Sequence, residues 1–327
     1  MTSIRPFIEA DYAPYVELHN RVHPDERMSE RELRYADETW DKDRLYKRRV
    51  LAADETGALV GLGLVAHMEE QFHPDKYYLD VMVDPVARRR GHGGAICDNL
   101  LADLRQRGAV SARTWVKESD AASNQFVTTR GFVENRREWP SRLDVAGFDP
   151  APFAGAGERI AGHGITITTL AAETPHNGNL LPELYELDTI CSRDVPDIDP
   201  FTAMPFADFL KSYVNGPYVI PDAFFLAKHC DRYVGLARLF SSDEEPDILN
   251  QDLTGVIPDY RGKGVAMALK LATVAYAKQA GKREIRTWND TVNRAMLRIN
   301  EAMGFARQPA EVVYLKELDQ DPGVVNA

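Results

Sequence analysis

The chain has 327 residues, enough for two domains that each bury a core of their own. Its 44% apolar and 27% charged content is globular, and its net charge of −11 excludes a surface built for nonspecific nucleic-acid binding. No run of about 18 apolar residues exists to cross a membrane, and the opening Met1–Glu9 lacks the apolar core of a secretion signal. Three scattered cysteines, Cys97, Cys191 and Cys230, provide neither a disulfide framework nor a zinc site. A cytoplasmic protein without metal is expected, with Cys97 on an apolar helix face.

The first half opens with an extended Ile4–Phe7, followed by helical stretches at Tyr12–Val22 and Glu30–Trp40. Arg49–Ala53 and Leu59–Val65 flank Asp54-Glu-Thr-Gly57, which is hairpin chemistry. Tyr77–Val83 reads as the next strand. After a glycine-rich loop, Gly94–Arg107 places Ile96, Leu100, Leu101 and Leu104 on one helical face, and Gly108 stops it. A strand at Ala112–Lys117, a helix at Ala121–Arg130 closed by Gly131, and a last strand at Arg142–Val145 complete this half.

Residues 147–164 are rich in Gly, Ala and Pro, which is linker composition. The second half repeats the order. Ile165–Leu170 is its first strand, and Ala223–His229 and Tyr233–Leu239 form a hairpin turning at Cys230–Arg232. Gln251–Ile257 leads into the second glycine loop. The helix Val265–Gln279, the strand Glu284–Trp288, the helix Asn293–Met303 and the strand Val312–Leu318 follow. Alternation of helices and strands predicts an α/β (α+β mixed-sheet) fold with two domains, 1–146 and 165–320, and a frayed tail at 321–327.

The two halves also match residue by residue. Val83-Asp-Pro-Val-Ala-Arg-Arg-Arg-Gly-His-Gly93 corresponds to Val256-Ile-Pro-Asp-Tyr-Arg-Gly-Lys-Gly-Val-Ala266, 173 residues on. The same offset places Gly108 on Gly281, Arg113-Thr-Trp115 on Arg286-Thr-Trp288 and Gly131-Phe132 on Gly304-Phe305. One offset held over about 50 residues marks a duplicated domain. In each copy a strand turns tightly into a helix whose first N–H groups are unpaired and whose dipole is positive there, so the loop can cradle a pyrophosphate. No Gly-x-x-x-x-Gly-Lys-Ser/Thr and no Gly-x-Gly-x-x-Gly occurs in either loop, which sets aside nucleotide-hydrolase and dinucleotide loops.

The pattern Val-x-Pro-x-x-Arg-x-x-Gly-x-Gly/Ala before a helix resembles the acetyl-CoA loop of the GCN5-related N-acetyltransferase (GNAT) superfamily. Asn293-Arg-Ala-Met-Leu-Arg-Ile-Asn-Glu-Ala-Met-Gly304-Phe305 resembles the family's second landmark helix, and Asp120 to Phe132 is a weaker copy. The resemblance covers nearly the whole chain as two tandem domains. It implies acetyl-CoA as co-substrate, held at Arg88, Arg89, Arg90, Gly91, His92, Gly93 and Gly94 and at Arg261, Gly262, Lys263, Gly264, Val265 and Ala266. It implies that Met82–Val83 and Gly255–Val256 pair with the pantetheine arm like an added strand. Asn293 is similar to the family's CoA-contacting asparagine, which Asp120 replaces in the first copy.

Acetyl transfer to an amine needs a base, N–H donors for the oxyanion and a proton for the leaving thiolate. Many family members place a tyrosine in the landmark helix as that acid; here Asn300 and Val127 stand at the position. Asp252, which alternation places on one strand face with Thr254 and Val256, is the candidate base, with Asp80 as its rough counterpart and Glu69 and Glu70 on the preceding turn. Trp115 and Trp288 are expected in packing. The acidic runs Asp194–Asp199 and Asp243–Glu245 either line an amine-binding mouth or are solvated. The expectation is an N-acetyltransferase acting on a primary amine of a small molecule or peptide, with its working site in the second domain. The alternatives are an acyl-CoA-binding protein without catalysis and catalysis in the first domain.

Overall fold

The computed structural model describes residues 2–318; the expected tail at 321–327 lies outside them. In chain order the elements are β1 (Ser3–Pro6), α1 (Tyr12–Val22), α2 (Glu30–Glu38), β2 (Lys47–Ala53), β3 (Leu59–Ala66), β4 (Lys76–Val83), α3 (His92–Gln106), β5 (Ser111–Lys117), α4 (Ala121–Thr129) and β6 (Val133–Asp144). They continue with α5 (Ala156–Ala161), β7 (Ile165–Thr169), α6 (Leu170–Glu173), α7 (Leu180–Ser192), α8 (Phe206–Phe209), β8 (Val219–His229) and β9 (Arg232–Phe240). The last are β10 (Ile248–Val256), α9 (Val265–Gln279), β11 (Glu284–Asp290), α10 (Arg294–Ala302), β12 (Ala306–Arg307) and β13 (Glu311–Glu317).

The residues gather into two compact units, one of 2–137 with 311–318 and one of 138–310. In unit 1 the strands run β1-β2-β3-β4-β5-β13, antiparallel except for the parallel pair β4 and β5. In unit 2 they run β6-β11-β10-β9-β8-β7, with β10 and β11 the parallel pair. The two units therefore share one plan, but they divide the chain differently from the sequence repeat. The strand that closes unit 1 comes from the end of the chain, and β6, next after α4 in sequence, gives its residues from Glu138 on to unit 2.

Both faces of each sheet are covered, which explains why β2, β3, β8 and β9 read as apolar runs rather than clean alternations. In unit 1, Val50 and Val65 face Ile96, Leu100 and Leu104 of α3. Their neighbours Leu51 and Leu62 face Tyr15 and Leu18 of α1 and Leu33 of α2. In unit 2, Leu226, Leu236 and Ile285 join Leu269 and Val274 of α9 and Leu184 of α7 in one core. Cys97 and Cys191 are buried in these cores, where desolvation pushes their thiols up to about 11 and about 12. Cys230 is exposed at the two-residue turn between β8 and β9, with a left-handed φ of 52°.

Two expectations change. The last strand of the first half is twelve residues long, Val133–Asp144, rather than Arg142–Val145. The segment 147–164, read as a linker, is structured: it forms a 3-10 turn at Ala151–Phe153 and then α5, whose Ile160 is buried in the unit 2 core. Six residues are too few for propensity to hold a helix, and the burial of Ile160 fixes it.

Candidate active site

Each parallel pair begins joined and then parts. In unit 2 the register holds at Ile248–Glu284, Leu249–Ile285 and Asn250–Arg286, after which β10 runs on to Val256 with no partner on that edge. In unit 1 the pairing likewise stops at Tyr78–Arg113, and β4 continues to Val83. Met82–Val83 and Gly255–Val256 therefore lie on unpaired strand edge, as an added strand requires. Gly255 also has a packing reason: a Cβ there would overlap Cys191 of α7 at 2.4 Å.

The loops after these strands are built alike. Arg88 Nε donates to Val83 O at 3.3 Å, and Arg261 Nε donates to Val256 O at 3.0 Å. Both arginines thus brace the loop they belong to. Arg261 is also paired with Asp194, and Arg88 lies 3.9 Å from Asp120. Left-handed backbone falls at matching places, Arg89 and Gly91 in one loop, Gly262 and Gly264 in the other. Above Gly91 a Cβ would meet nothing within 4 Å, whereas above its match Gly264 it would meet the Arg159 side chain of α5 at 3.0 Å; above Gly262 there is open space. The first bonds of the following helices are Ala95 N–H to Gly91 O and Ala268 N–H to Gly264 O. The N–H groups of His92, Gly93 and Gly94, and of Val265, Ala266 and Met267, have no intrahelical partner. His92 is buried, with Nδ1 2.9 Å from Thr2 Oγ1. Arg90 and Lys263 complete the cationic surroundings, although Lys263 Nζ lies 4.5 Å above the Tyr260 ring. Tyr260 itself bonds His229 at 2.9 Å, a packing role.

Asp120 and Asn293 do the same structural job. Each is the N-cap of its helix, Asp120 accepting from Ser123 N–H at 3.0 Å and Asn293 from Met296 N–H at 3.3 Å. Asp and Asn both cap helices well, so the Asp/Asn exchange keeps the cap.

The strands before the loops differ. In β4 the register with β3 runs evenly from Tyr78–Ala66 to Val83–Gly61. In β10 it slips between Gln251–Leu239 and Thr254–Ala237, so Asp252 and Leu253 together oppose Arg238. This β-bulge lies beyond the last β10–β11 pair and leaves backbone groups unclaimed there. Asp252 accepts from Arg238 Nε at 2.6 Å, while 43% of its side chain remains accessible. Arg238 is buried, is also paired with Asp188 of α7, and lies 3.8 Å from the Tyr213 ring. An arginine inside the apolar run Tyr233–Leu239 was the sequence signal for this centre. Behind the bulge, buried Lys270 donates to Gln251 at 2.9 Å, and Gln251 donates to Thr254 at 2.8 Å.

Asn300 of α10 is buried. Its Nδ2 donates to Asn289 of β11 at 2.5 Å, and its Oδ1 has no partner among the described residues. Trp288 is 40% exposed, and half-buried Trp115 packs on Tyr78 beside a cavity, so neither is a fully buried core residue. Two residues of the acidic runs are ion-paired: exposed Asp194 with Arg261, and Glu245 with Arg286 through two 2.8 Å contacts. Glu69 lies 3.4 Å from Arg44. Among the described residues no cluster could hold a metal, and no helix is long and apolar enough to cross a membrane.

The acetyltransferase (GNAT) family model matches residues 13–132 and 181–305, one copy in each half. The chain belongs to the GNAT acetyltransferase family. A mycothiol acetyltransferase of Thermobispora bispora is 27% identical over 239 residues, 72% of this chain and 74% of that one. A mycothiol acetyltransferase of Thermomonospora curvata is 25% identical over 269 residues, 82% of each. A tandem GNAT protein from the clavulanic acid biosynthesis pathway has the same fold, with a TM-score of 0.76, 17% identity, and 97% of this chain and 98% of that one covered. The GCN5-related N-acetyltransferase from Sphaerobacter thermophilus gives a TM-score of 0.71 at 19% identity, over 97% and 95%. The protein is a tandem GNAT N-acetyltransferase, and acetyl-CoA is its co-substrate.

Proposed function

We propose that unit 2 transfers the acetyl group to a primary amine of a small molecule or peptide. The bulge at Asp252–Leu253 carries this reading, because unit 1 has the same splayed strands and the same loop but no bulge. Freed backbone N–H groups at the bulge would receive the thioester carbonyl oxygen as it gains charge. The amine nitrogen bonds to the carbonyl carbon, the carbon–sulfur bond breaks, the amine loses a proton and the thiol sulfur gains one. Asp252 would take the amine's proton, directly or through a water, with its carboxylate aimed by Arg238. Asn300 acts as a positioning residue, since its amide holds β11 and does not reach solvent. The pyrophosphate would rest on Arg261–Ala266, the pantetheine arm on Gly255–Val256, and Asn293 Nδ2 is free to meet it. Relatives named for mycothiol support a small-molecule acceptor.

Matched charge insertions test which loop works. Arg89 already holds a side chain in the left-handed conformation that Gly262 adopts, so Gly262→Glu and Arg89→Glu place the same carboxylate in equivalent cradles. In an assay of CoA-thiol release over a panel of amino sugars, polyamines, amino acids and peptides, Gly262→Glu should abolish turnover and Arg89→Glu should leave most of it. The reverse pattern would move the chemistry to unit 1.

A further inference from the structure

Behind the bulge in β10 lies a polar chain that the core itself does not require. Lys270 of α9 and Gln251 of β10 are each 1% exposed. Lys270 Nζ donates to Gln251 Oε1 at 2.9 Å, and Gln251 Nε2 donates to Thr254 Oγ1 at 2.8 Å. The other neighbour of the amine is the Phe305 ring, 4.6 Å away, and among the described residues Lys270 makes no ion pair. An amine so buried, with one hydrogen-bond acceptor, costs stability. The copy in unit 1 avoids that cost. At the offset of 173 residues Lys270 falls on Cys97. The parallel pairs set Tyr78 opposite Arg113 and Asn250 opposite the matching Arg286, so Leu79 stands where Gln251 does. Leu79 and Cys97 are buried together in the apolar unit 1 core, and β4 runs past them without a bulge. The polar pair thus accompanies the bulge, and the apolar pair accompanies the regular strand.

Geometry ties the two together. Gln251 and Thr254 are three positions apart, which in a regular strand puts their side chains on opposite faces. Here they pair with Leu239 and Ala237, which are two positions apart on β9 and so share a face. The extra residue at Asp252–Leu253 is what brings the Gln251 amide to the Thr254 hydroxyl. A strand can take up an extra residue at more than one place along its length, and the Gln251–Thr254 bond forms only when it falls between them. Lys270 sets the amide for that bond: its donors turn the oxygen of Gln251 toward α9 and leave the nitrogen for Thr254.

We propose that Lys270 and Gln251 are positioning residues for acetyl transfer, pinning the bulge of β10 at Asp252–Leu253 from the buried side of the strand. This rests on the reading that unit 2 is the working copy. The double variant Lys270→Met with Gln251→Leu removes both partners of the buried bond together and gives unit 2 an apolar pair like that of unit 1. Its urea midpoint should equal or exceed that of the wild type. With the most active amine of the panel at saturation, its kcat should fall about tenfold or more, while calorimetric affinity for acetyl-CoA stays within about twofold of wild type. Gly262→Glu is assayed beside it. Wild-type kcat in the double variant, with Gly262→Glu inactive, would overturn the proposal and leave unit 2 as the working copy. Wild-type kcat in both variants would remove the unit 2 reading and the proposal with it. A fall in kcat that comes with a lowered urea midpoint, or with an equal loss of acetyl-CoA affinity, would also overturn it, because the pair would then serve the fold as a whole.

Discussion

Asp80 lies opposite Leu64, and Asp252, in the bulge, lies opposite Arg238; that one opposing residue sets the two carboxylates apart. Beside Leu64 a carboxylate is left to the cavity that Trp115 borders; beside Arg238 it is fixed and aimed. Lys270 shows the same dependence on surroundings. It was read only as part of an apolar helix, yet its amine is buried with Gln251 as hydrogen-bond acceptor and the Phe305 ring 4.6 Å away. Desolvation pulls it down to about 7 from the ordinary lysine value of 10.5. Between those two values the unfolded chain binds the proton and the folded chain does not, so stability rises with pH across that window. The unfolding free energy from urea titration of the wild type should climb from pH 7 to pH 9, with a slope approaching about 1.4 kcal/mol per pH unit. Lys270→Met should flatten it, and an unchanged slope in that variant would show that Lys270 is not the titrating group. The loop residues were legible because glycine and arginine at fixed spacing have few other uses. Arg238 and Asp188 were not singled out, since their pairing depends on α7 and β9 meeting in space.

Element by element, the sequence was most readable where local chemistry decides. The glycines after α3, α4, α9 and α10 all adopt the left-handed conformation expected of helix stops. The hairpin turns at Asp54–Gly57 and Cys230–Asp231 are where turn residues put them. What local chemistry leaves open is the partner across an element. Linker composition at 147–164 concealed α5 because only packing of Ile160 into the core, not propensity, holds so short a helix. The bulge in β10 was equally hidden: Gln251-Asp-Leu-Thr254 contains no glycine or proline to mark it, and the slip exists only relative to β9.

For the whole molecule, the repeat revealed two domains of one design but could not reveal which strand closes each. Strand 13 begins 194 positions after Lys117 ends β5, yet the two pair along their full length, Glu311 with Lys117 through Glu317 with Ser111. Val312, Tyr314 and Leu318 belong to the unit 1 core. A fragment of residues 1–146, the first domain as the repeat delimits it, should therefore fail to fold cooperatively, leaving β5 as a bare edge. Adding a peptide of residues 308–320 should restore slow amide exchange in β4 and β5. A fragment 1–146 with a sharp urea transition by itself would contradict the exchange of strands.

The central claim is that acetyl transfer occurs at the unit 2 bulge with Asp252 as the proton acceptor, and turnover by Asp252→Asn tests it most directly. Arg238 keeps Asp188 as its partner in that variant, so the fold should hold. With an acceptor identified from the amine panel, kcat/KM for the amine should fall about 100-fold or more, while calorimetric affinity for acetyl-CoA stays at the wild-type value. Wild-type turnover in Asp252→Asn, together with its loss in Asp80→Asn, would place the chemistry in unit 1 and contradict the account.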